Sequence, residues 1–289
     1  MNPRRAEAAT GPARRSFARG EPGYPAGLEA LADPPARVHV WGGEIPAWPA
    51  AVAIVGSRAA TSYGLAIADR LARDLAAHGV TVVSGLARGI DSAAHEGAIG
   101  AGGRTVAVIA SAFDRVTPGP QARLAHRVAG AGAVMSEVGE GGPFGRGAFV
   151  KRNRLIAAAS AVTVVVEAAE DGGGLTTATV ARSLGRAVLA VPGDLDRPAS
   201  RGTLGLLRSG ARVCGDAGDV LAAMDPPPPS EAAPATRLRA RLGPEPASVE
   251  ALSNACGLEV SETLARLLQL QWSGLAISHP GGRWSARGT

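Results

Sequence analysis

Two apolar runs of this chain are each followed by glycine, a small polar residue and arginine, just before a helical pattern begins. After Val52–Val55 come Gly56, Ser57 and Arg58, and Val80–Val83 is followed by Ser84–Asp91, which contains Arg88. Glycine lets an anion approach the backbone, a helix N-terminus presents N–H groups, and arginine forms charge-assisted hydrogen bonds with phosphate. Either stretch alone is more typical of ordinary turn chemistry. Because both carry an arginine, we predict an anion site.

A third segment combines an aromatic ring with positive charge. It runs from Phe149 through Lys151, Arg152 and Asn153 to Arg154, and Lys151 is the only lysine in the chain. Cations neutralise successive phosphates and a ring stacks on an unpaired base, as in proteins that bind single strands. The alternative is a core phenylalanine beside solvated charges. Since cations at a helix N-terminus oppose the helix dipole, we favour an anionic partner and predict contact with single-stranded DNA.

A glycine-rich stretch offers a further phosphate loop or a tight turn. Its residues are Gly172, Gly173, Gly174 and Thr176. The chain has no Gly-Lys-Ser/Thr pattern of a P-loop, and its turns lack the GxGxxG spacing of dinucleotide sites. The sequence therefore gives no support for ATP hydrolysis or NAD binding, and we expect no cofactor.

Candidates for catalysis are few. Asp91 and His95 stand four residues apart on a predicted helix, an arrangement that is more often structural than catalytic. No serine lies in a G-x-S-x-G elbow. Cys214 and Cys256 are far apart and lack the spacing of zinc ligands or of a disulfide framework. We therefore expect no catalytic site and no metal site.

These segments are positioned by an alternation of apolar, β-branched runs with alanine-rich amphipathic stretches. The predicted strands are Val52–Val55, Val80–Val83, Thr105–Ile109, Ala133–Ser136, Val162–Val166 and Ala187–Val191. The predicted helices are Tyr63–Ala77, Ile90–Ile99, Gln121–Ala129, Asn153–Ala159 and Leu175–Leu184. Such alternation is typical of right-handed βαβ crossovers and predicts an α/β fold, a Rossmann-like, doubly wound and mainly parallel sheet.

Composition shifts divide the chain into four parts. We predict a disordered basic tail over residues 1–20, a Rossmann-like domain with an extended lead-in over 21–224, a proline-rich linker over 225–240 and a winged-helix domain over 241–289. The last part holds two helical patterns, Ser248–Ala255 and Ser261–Trp272, each with an N-terminal serine cap, and then a short hairpin.

Charge is distributed unevenly. The net charge is +5, but residues 225–289 hold six arginines and six acidic residues, so any DNA site must be a local patch. The winged helix therefore suits protein contact or packing through Leu264, Leu267, Leu268 and Leu270 better than duplex DNA. The N-terminus has no apolar signal region, and no apolar run could span a bilayer. We expect a cytoplasmic protein with no membrane partner.

The motifs together resemble the DprA family, the DNA-processing proteins of natural transformation. The residues that carry the resemblance are Val55–Arg58, Ser84–Asp91 with His95, Ser136-Glu137, Arg152–Ala157, Val166–Ala168 and Ala190–Gly193. The resemblance covers about residues 21–222. It implies a non-catalytic protein that coats incoming single-stranded DNA, forms a homodimer and helps to load a RecA-type recombinase.

The resemblance also implies roles for residues of this chain. The DNA contacts would be Gly56, Ser57, Arg58, Phe149, Lys151, Arg152 and Asn153, with Arg88 as an addition, and the dimer or recombinase surface would lie on the helix that holds Leu204, Leu206 and Leu207. The chain departs from the family where Phe113–Pro118 lacks a tyrosine and where Gly172 and Gly174 replace serines. The alternative is a nucleotide-processing hydrolase related to phosphoribohydrolases, although the motif Pro-Gly-Gly-x-Gly-Thr-x-x-Glu of those enzymes is missing.

Overall fold

The structure of the protein is a computed structural model that describes residues 12–116, 119–142, 145, 147–224, 238, 241–272 and 276–286. The chain divides into two compact units, Met1–Pro228 and Pro229–Thr289. No helix in these described ranges has the length and apolar character needed to cross a membrane.

The first unit is built on one large sheet. Within the described residues its nine strands are β1 (Arg14–Ala18), β2 (Arg37–Gly42), β3 (Ala51–Val55), β4 (Thr81–Ser84), β5 (Thr105–Ile109), β6 (Ala133–Ser136), β7 (Val162–Val165), β8 (Ala187–Ala190) and β9 (Arg212–Val213). Their order is β1-β2-β6-β5-β4-β3-β7-β8-β9. The strands from β6 to β9 in this order are parallel, and β1 and β2 add an antiparallel edge.

Helices cover both faces of this sheet. They are α1 (Ser62–Ala77), α2 (Ile90–Gly100), α3 (Gly119–Ala131), α4 (Ala148–Ala158), α5 (Gly173–Ser183), α6 (Arg201–Arg208) and α7 (Ala217–Leu221). The strand β3 shows why the sheet needs two covers. Val52 and Ile54 pack with α1, α2 and α7, whereas Ala53 and Val55 pack with α4, α5 and α6 on the opposite face. The predicted Rossmann-like, doubly wound fold is confirmed.

One helix begins earlier than the sequence predicts, with a consequence for the site. Helix α4 starts at Ala148, after Gly147 in a left-handed conformation (φ 88°), and not at Asn153. The cations of this segment therefore lie within the first turns of the helix. Because side chains of a helix point in different directions, they face different neighbours.

The prediction of a disordered tail is wrong for Arg14–Ala18. This segment is the strand β1, which pairs antiparallel with β2, and its Phe17 packs against the core. Residues 1–11 lie outside the described residues. The predicted linker, 225–240, also lies outside them except for Leu238, which is fully buried in the core of the second unit.

The second unit is a small winged helix, as predicted. Its elements are β10 (Ala247–Ser248), α8 (Val249–Cys256), α9 (Val260–Trp272), β11 (Ala276–His279) and β12 (Arg283–Ala286), with the strand order β10-β12-β11. The Ser248 hydroxyl caps α8 by accepting a hydrogen bond from the Ala251 N–H. Ser261, the other predicted cap, lies inside α9.

Candidate nucleic-acid interface

A cleft lies where the strand order reverses, between β3 and β7. The strands β4, β5 and β6 extend to one side of this point and β8 and β9 to the other. Open parallel sheets bind ligands at the carboxyl ends of strands at such a position. The cleft encloses about 470 Å³ and is lined by Gly56 and Ser57 after β3 and by Gly172, Gly173 and Gly174 at the start of α5. The structure thus brings the predicted phosphate loop to the predicted first turn.

Close packing explains two of these glycines. A Cβ atom on Gly56 would lie 2.7 Å from the Glu167 carbonyl oxygen, and one on Gly174 would lie 3.2 Å from the Gly56 Cα. A Cβ atom on Gly173 would meet no described atom within 4 Å, so this glycine opens space instead. The threonine that lines the cleft is Thr177, whereas the predicted Thr176 is half-buried outside the lining.

The turn after β3 is held by Glu167. The Glu167 carbonyl accepts a 2.7 Å hydrogen bond from the Ser57 N–H, and the buried Glu167 carboxylate accepts from the Thr61 N–H (2.9 Å) and hydroxyl (2.5 Å). A carboxylate at the N-terminus of α1 already balances the positive end of the helix dipole. An anion at this turn would therefore be bound by the side chain of Arg58 more directly than by the backbone amides.

A second cavity, of about 260 Å³, lies beside the cleft at the ends of β4 and β5. We call it the arginine cavity, because Arg58, Arg88, Arg115 and Arg152 line it together with Phe149. None of the lining residues in the described part of the chain is acidic. Arg58, Arg88 and Arg115 are exposed, and so is Phe149 at 42%. The Arg58 guanidinium lies over the Phe149 ring, 4.6 Å from its centroid. This geometry places positive charge and an aromatic surface at one opening.

Arg152 is buried under this opening. Its Nη1 donates hydrogen bonds to the carbonyl of Gly85 (2.6 Å) and to that of Val108, and its Nε donates to the Asn153 side chain. Burial lowers the pKa of Arg152 to about 10, so the guanidinium stays charged at neutral pH. Arg152 thus connects α4 to the ends of β4 and β5. The sequence predicts that Arg152 contacts DNA as Arg58 does, but the structure places the two arginines in different environments.

Asp91 and Arg152 flank Gly85. A Cβ atom at Gly85 would lie 2.6 Å from the Asp91 carboxylate and 2.7 Å from Arg152 Nη2, so glycine is required for both groups to approach. The Asp91 carboxylate accepts from the N–H groups of Gly85 and Ala87. Burial raises the pKa of Asp91, while the charge of Arg152 opposes the rise.

His95 has partners of its own. Its Nδ1 lies 2.7 Å from the Thr105 hydroxyl, which itself donates to the Val82 carbonyl. The Thr105 hydroxyl is therefore the acceptor, and His95 carries its proton on Nδ1. Burial lowers the pKa of His95 to about 3, so the ring is neutral. The hydrogen bonds of Asp91 and His95 go to different groups, which supports the structural interpretation of this pair.

Lys151 and Arg154 point to another neighbour, Glu137. Arg154 Nη2 lies 2.8 Å from both Glu137 carboxylate oxygens, and Lys151 Nζ lies 3.4 Å from one of them. Asn153 instead donates to the Gly173 carbonyl and lines the cleft. The structure therefore divides the predicted cationic segment. Phe149, Arg152 and Asn153 face the cleft and the arginine cavity, whereas Lys151 and Arg154 form ion pairs with an acidic residue.

Several residues that line the arginine cavity were not predicted as site residues, and Arg115, Gln121 and Leu86 are among them. Arg115 belongs to a short 3-10 turn, and Gln121 lies in the first turn of α3. Leu86 has a left-handed backbone (φ 59°), which is uncommon for a residue with a side chain and is often found at functional sites. The motif around Ser84 located Leu86, but no sequence signal distinguishes a lone glutamine at a helix start.

The three leucines of the predicted dimer or recombinase surface differ in burial, and their role stays a prediction. Leu206 is buried in the core of its own unit, and Leu207 packs against the same core. Among the predicted residues, Leu204 is half-buried and is not part of that core cluster.

The second unit presents an apolar helix face. Val260, Leu264 and Leu268 recur every four residues on α9 and are exposed, whereas Leu267 and Leu270 lie in the core. The composition of this part of the chain, with as many acidic residues as arginines, favours protein contact over phosphate contact, and the role of this face stays a prediction.

Comparisons with known proteins find similar chains for both units. The family model described as DNA recombination-mediator protein A matches residues 15–225, and the model of the DprA winged helix domain matches residues 222–282. A Mycobacterium tuberculosis protein named as a putative DNA processing protein DprA is 40% identical over an alignment of 250 residues that covers 82% of this chain. The chain spans 64% of the length of that relative. Protein Smf of Escherichia coli is 33% identical, over 90% of this chain and 74% of its own length.

Two of the solved structures with a similar fold are of DNA processing protein A from two bacteria. The X-ray structure of DNA processing protein A from Streptococcus pneumoniae has a TM-score of 0.67 and 33% identity, and covers 73% of this chain and 74% of its own. A structure of the protein from Helicobacter pylori, whose subject is its single-stranded DNA binding mode, has a TM-score of 0.64 and 28% identity. It covers 72% of this chain and 93% of its own.

Proposed function

Because this chain belongs to the DNA recombination-mediator protein A family, we propose that it binds single-stranded DNA along the carboxyl-end rim of its large sheet. The observation that carries the proposal is the arginine cavity. Three exposed arginines, Arg58, Arg88 and Arg115, surround one opening whose described lining contains no carboxylate. Guanidinium groups bind phosphates through charge-assisted hydrogen bonds, and a local cluster supplies the positive potential that the balanced composition does not.

The aromatic ring at the same opening favours single strands over duplexes. Phe149 is exposed, and Arg58 lies over it, so a planar surface accompanies the charges. Unpaired bases stack on aromatic rings and on guanidinium planes, while the bases of a duplex are already stacked on one another. The cleft with Gly172, Gly173 and Gly174 adjoins this opening through Arg58, which lines both, and extends the surface along which a strand can lie.

A titration with a labelled oligonucleotide tests the proposal. We expect tight binding to a single strand, weaker binding to the duplex of the same sequence, and an affinity that falls as salt rises, because phosphate contacts release counterions. Arg58→Glu should weaken the binding strongly. Arg104→Glu is the matched control. Arg104 is also exposed, but it precedes β5 and so lies at the amino ends of the parallel strands, opposite the proposed site. Equal affinity for single and double strands would contradict the proposal.

We further propose that the DNA-bound protein assists a RecA-type recombinase and acts as a homodimer. The family description as a recombination mediator supports this proposal, and the exposed face of α9 offers a surface for a protein partner. A strand-exchange assay on DNA coated with single-strand-binding protein would measure the first part, with stimulation expected. Sedimentation equilibrium would measure the second, with a dimer expected at micromolar concentration. No stimulation, or a monomer at all concentrations, would reject the respective part.

A further inference from the structure

A third cavity lies at the carboxyl ends of the parallel strands, beside the end of β8 and the start of α1. It encloses about 340 Å³, and its lining includes Tyr63, Glu167, Gly193, Asp194, Arg197 and Ser200. We call it the tyrosine cavity. Two acidic residues and one arginine line it, whereas the described lining of the arginine cavity holds four arginines and no acidic residue. The charges of the tyrosine cavity therefore favour a cation over a phosphate.

Glu167 brings a buried carboxylate to this cavity. It is 5% exposed, and its carboxylate accepts hydrogen bonds from the N–H and the hydroxyl of Thr61. A Cβ atom on Gly64 would collide with this carboxylate, so glycine is required beside it. No arginine, lysine or histidine of the described residues forms an ion pair with Glu167. Because each carboxylate oxygen can accept more than one hydrogen bond, Glu167 can still bind a cation that enters the cavity.

Ser200 adds a hydroxyl that the described part of the chain does not use. Ser200 lines the cavity and is only 4% exposed. Its carbonyl accepts a hydrogen bond from the Thr203 hydroxyl, but its own hydroxyl forms none with the described residues. A Cβ atom on Gly193 would collide with the Ser200 Oγ, so this glycine leaves room for the hydroxyl. Buried hydroxyls in folded proteins normally have a partner, and a ligand in the cavity would supply one.

Tyr63 gives the cavity an aromatic wall. It lies in the first turn of α1 and is exposed. Arg197 pairs with Asp194 at 2.6 Å, so the charge of Glu167 remains for a ligand. A guanidinium group is planar, stacks on aromatic faces and presents several N–H donors in fixed directions, whereas an ammonium group is a compact and strongly hydrated charge. An aromatic wall beside a carboxylate and a hydroxyl therefore fits a guanidinium group better than an ammonium group.

We propose that the tyrosine cavity binds a guanidinium group, which stacks on Tyr63 and donates hydrogen bonds to the Glu167 carboxylate and the Ser200 hydroxyl. The group can belong to a small guanidine compound or to the arginine side chain of a protein, because the chemistry that recognises it is the same. The site goes beyond the proposed binding of DNA and does not depend on it. The tyrosine cavity shares no lining residue with the arginine cavity or with the glycine-lined cleft.

Isothermal titration calorimetry with blocked amino acids tests the chemical class of the ligand. Nα-acetyl-arginine amide carries the guanidinium group, the citrulline derivative has a similar shape without the charge, and the lysine derivative carries an ammonium group. We expect the arginine derivative to bind about tenfold more tightly than the citrulline derivative, the effect of one charged hydrogen bond, and more tightly than the lysine derivative. Equal binding of the arginine and citrulline derivatives, tighter binding of the lysine derivative, or no binding at millimolar concentration would overturn the proposal.

Agmatine, a free guanidine compound, distinguishes the two sources of the group in the same titration. Tighter binding of agmatine than of the blocked arginine would assign the site to a small molecule. Tighter binding of the blocked arginine would assign it to a protein side chain, and either order supports a guanidinium site.

The variant Ser200→Ala separates ligand binding from folding. Because the hydroxyl has no partner among the described residues, alanine should leave the Tm unchanged and weaken binding of the arginine derivative about fivefold, the effect of one hydrogen bond. Tyr63→Ala should weaken it about threefold through the loss of stacking. Leu65→Ala is the matched control, since Leu65 is also exposed on α1 but does not line the cavity.

The variant Glu167→Gln tests the charge. It should weaken binding of the arginine derivative about tenfold, and Glu170→Gln, on an exposed acidic residue that follows the same strand, should bind it normally. Should Glu167→Gln fail to fold by circular dichroism, Ser200→Ala and Tyr63→Ala decide the question. Wild-type affinity in both of these variants would overturn the proposal.

Discussion

Arg58 and Arg152 lie at the same cavity but have different surroundings. Arg58 is exposed at the opening, over Phe149. Arg152 is buried below it and donates to two backbone carbonyls. The exposed residues form a positively charged surface, whereas the buried Arg152 connects α4 to the ends of β4 and β5 beneath it. The hydrogen-bond partners of a charged side chain therefore decide whether it is available to a ligand or stabilises the fold.

The largest expected difference concerns stability. Arg152→Met should lower the free energy of unfolding by about 3–5 kcal/mol, because Asp91 and two carbonyl groups lose their buried partner. Arg58→Met should change it by less than about 1 kcal/mol, since the contact with the Phe149 ring that is lost among the described residues is an exposed one. Urea titrations followed by circular dichroism measure both values. Similar losses in the two variants would remove the distinction between the two regions.

The pH dependence of stability probes the buried residue His95. The pKa of His95 is about 3 in the folded protein and about 6.5 in an unfolded chain, so the unfolded state binds more protons between these values. Stability should therefore fall as the pH is lowered through this window, by about 1.4 kcal/mol per pH unit from His95. His95→Gln should flatten the slope between pH 6 and pH 5 by about this amount. Parallel slopes for variant and wild type would show that His95 is not buried in its neutral form.

Substitutions in the exposed region should change the affinity for single-stranded DNA. Arg58→Met is expected to weaken binding of single-stranded DNA about tenfold, the effect of losing one charged hydrogen bond. The slope of log affinity against log salt should become shallower by about 0.7, the value for one phosphate contact on a single strand. Fluorescence anisotropy at several salt concentrations gives both quantities. An unchanged salt slope would mean that Arg58 contacts no phosphate.

The smallest effect is expected at Lys151. Its ammonium is exposed and lies 3.4 Å from Glu137, which compensates part of its charge. Lys151→Met should therefore weaken strand binding by less than threefold and leave stability within about 0.5 kcal/mol. The same anisotropy titration measures it beside Arg58→Met. A loss as large as that of Arg58→Met would place Lys151 in the binding surface on equal terms.

The sequence is sufficient to predict six of the seven parallel strands, β3 to β8 but not β9, and most of the helices. Runs such as Val52–Val55 are apolar on both faces because two helical layers cover them. The strand β1 was missed, because Arg14 and Arg15 read as part of a solvated tail and only Phe17 signals a buried face. The alternation of Val38 and Val40 with polar residues in β2 is a signal that could have indicated the antiparallel edge.

The sequence predicts which segments form the candidate site, but it does not predict the directions in which their side chains point. The glycine turns and the segment from Phe149 to Arg154 all lie at the rim. The predicted start of α4 was five residues late. The neighbours towards which the side chains of Arg152 and Arg154 point could therefore not be predicted. Their partners, Val108 and Glu137, are distant in sequence. Gln121 and Arg115 join the cavity only through tertiary packing, which one sequence does not disclose.

Photocrosslinking tests the central claim most directly. A single-stranded oligonucleotide that carries bromodeoxyuridine would be irradiated in complex with the protein, and the crosslinked peptides would be identified by mass spectrometry. We predict crosslinks in the peptides that contain Phe149 and Leu86, at the arginine cavity. Crosslinks confined to the second unit, or to the amino ends of the parallel strands near Arg104, would contradict the claim that this rim binds single-stranded DNA.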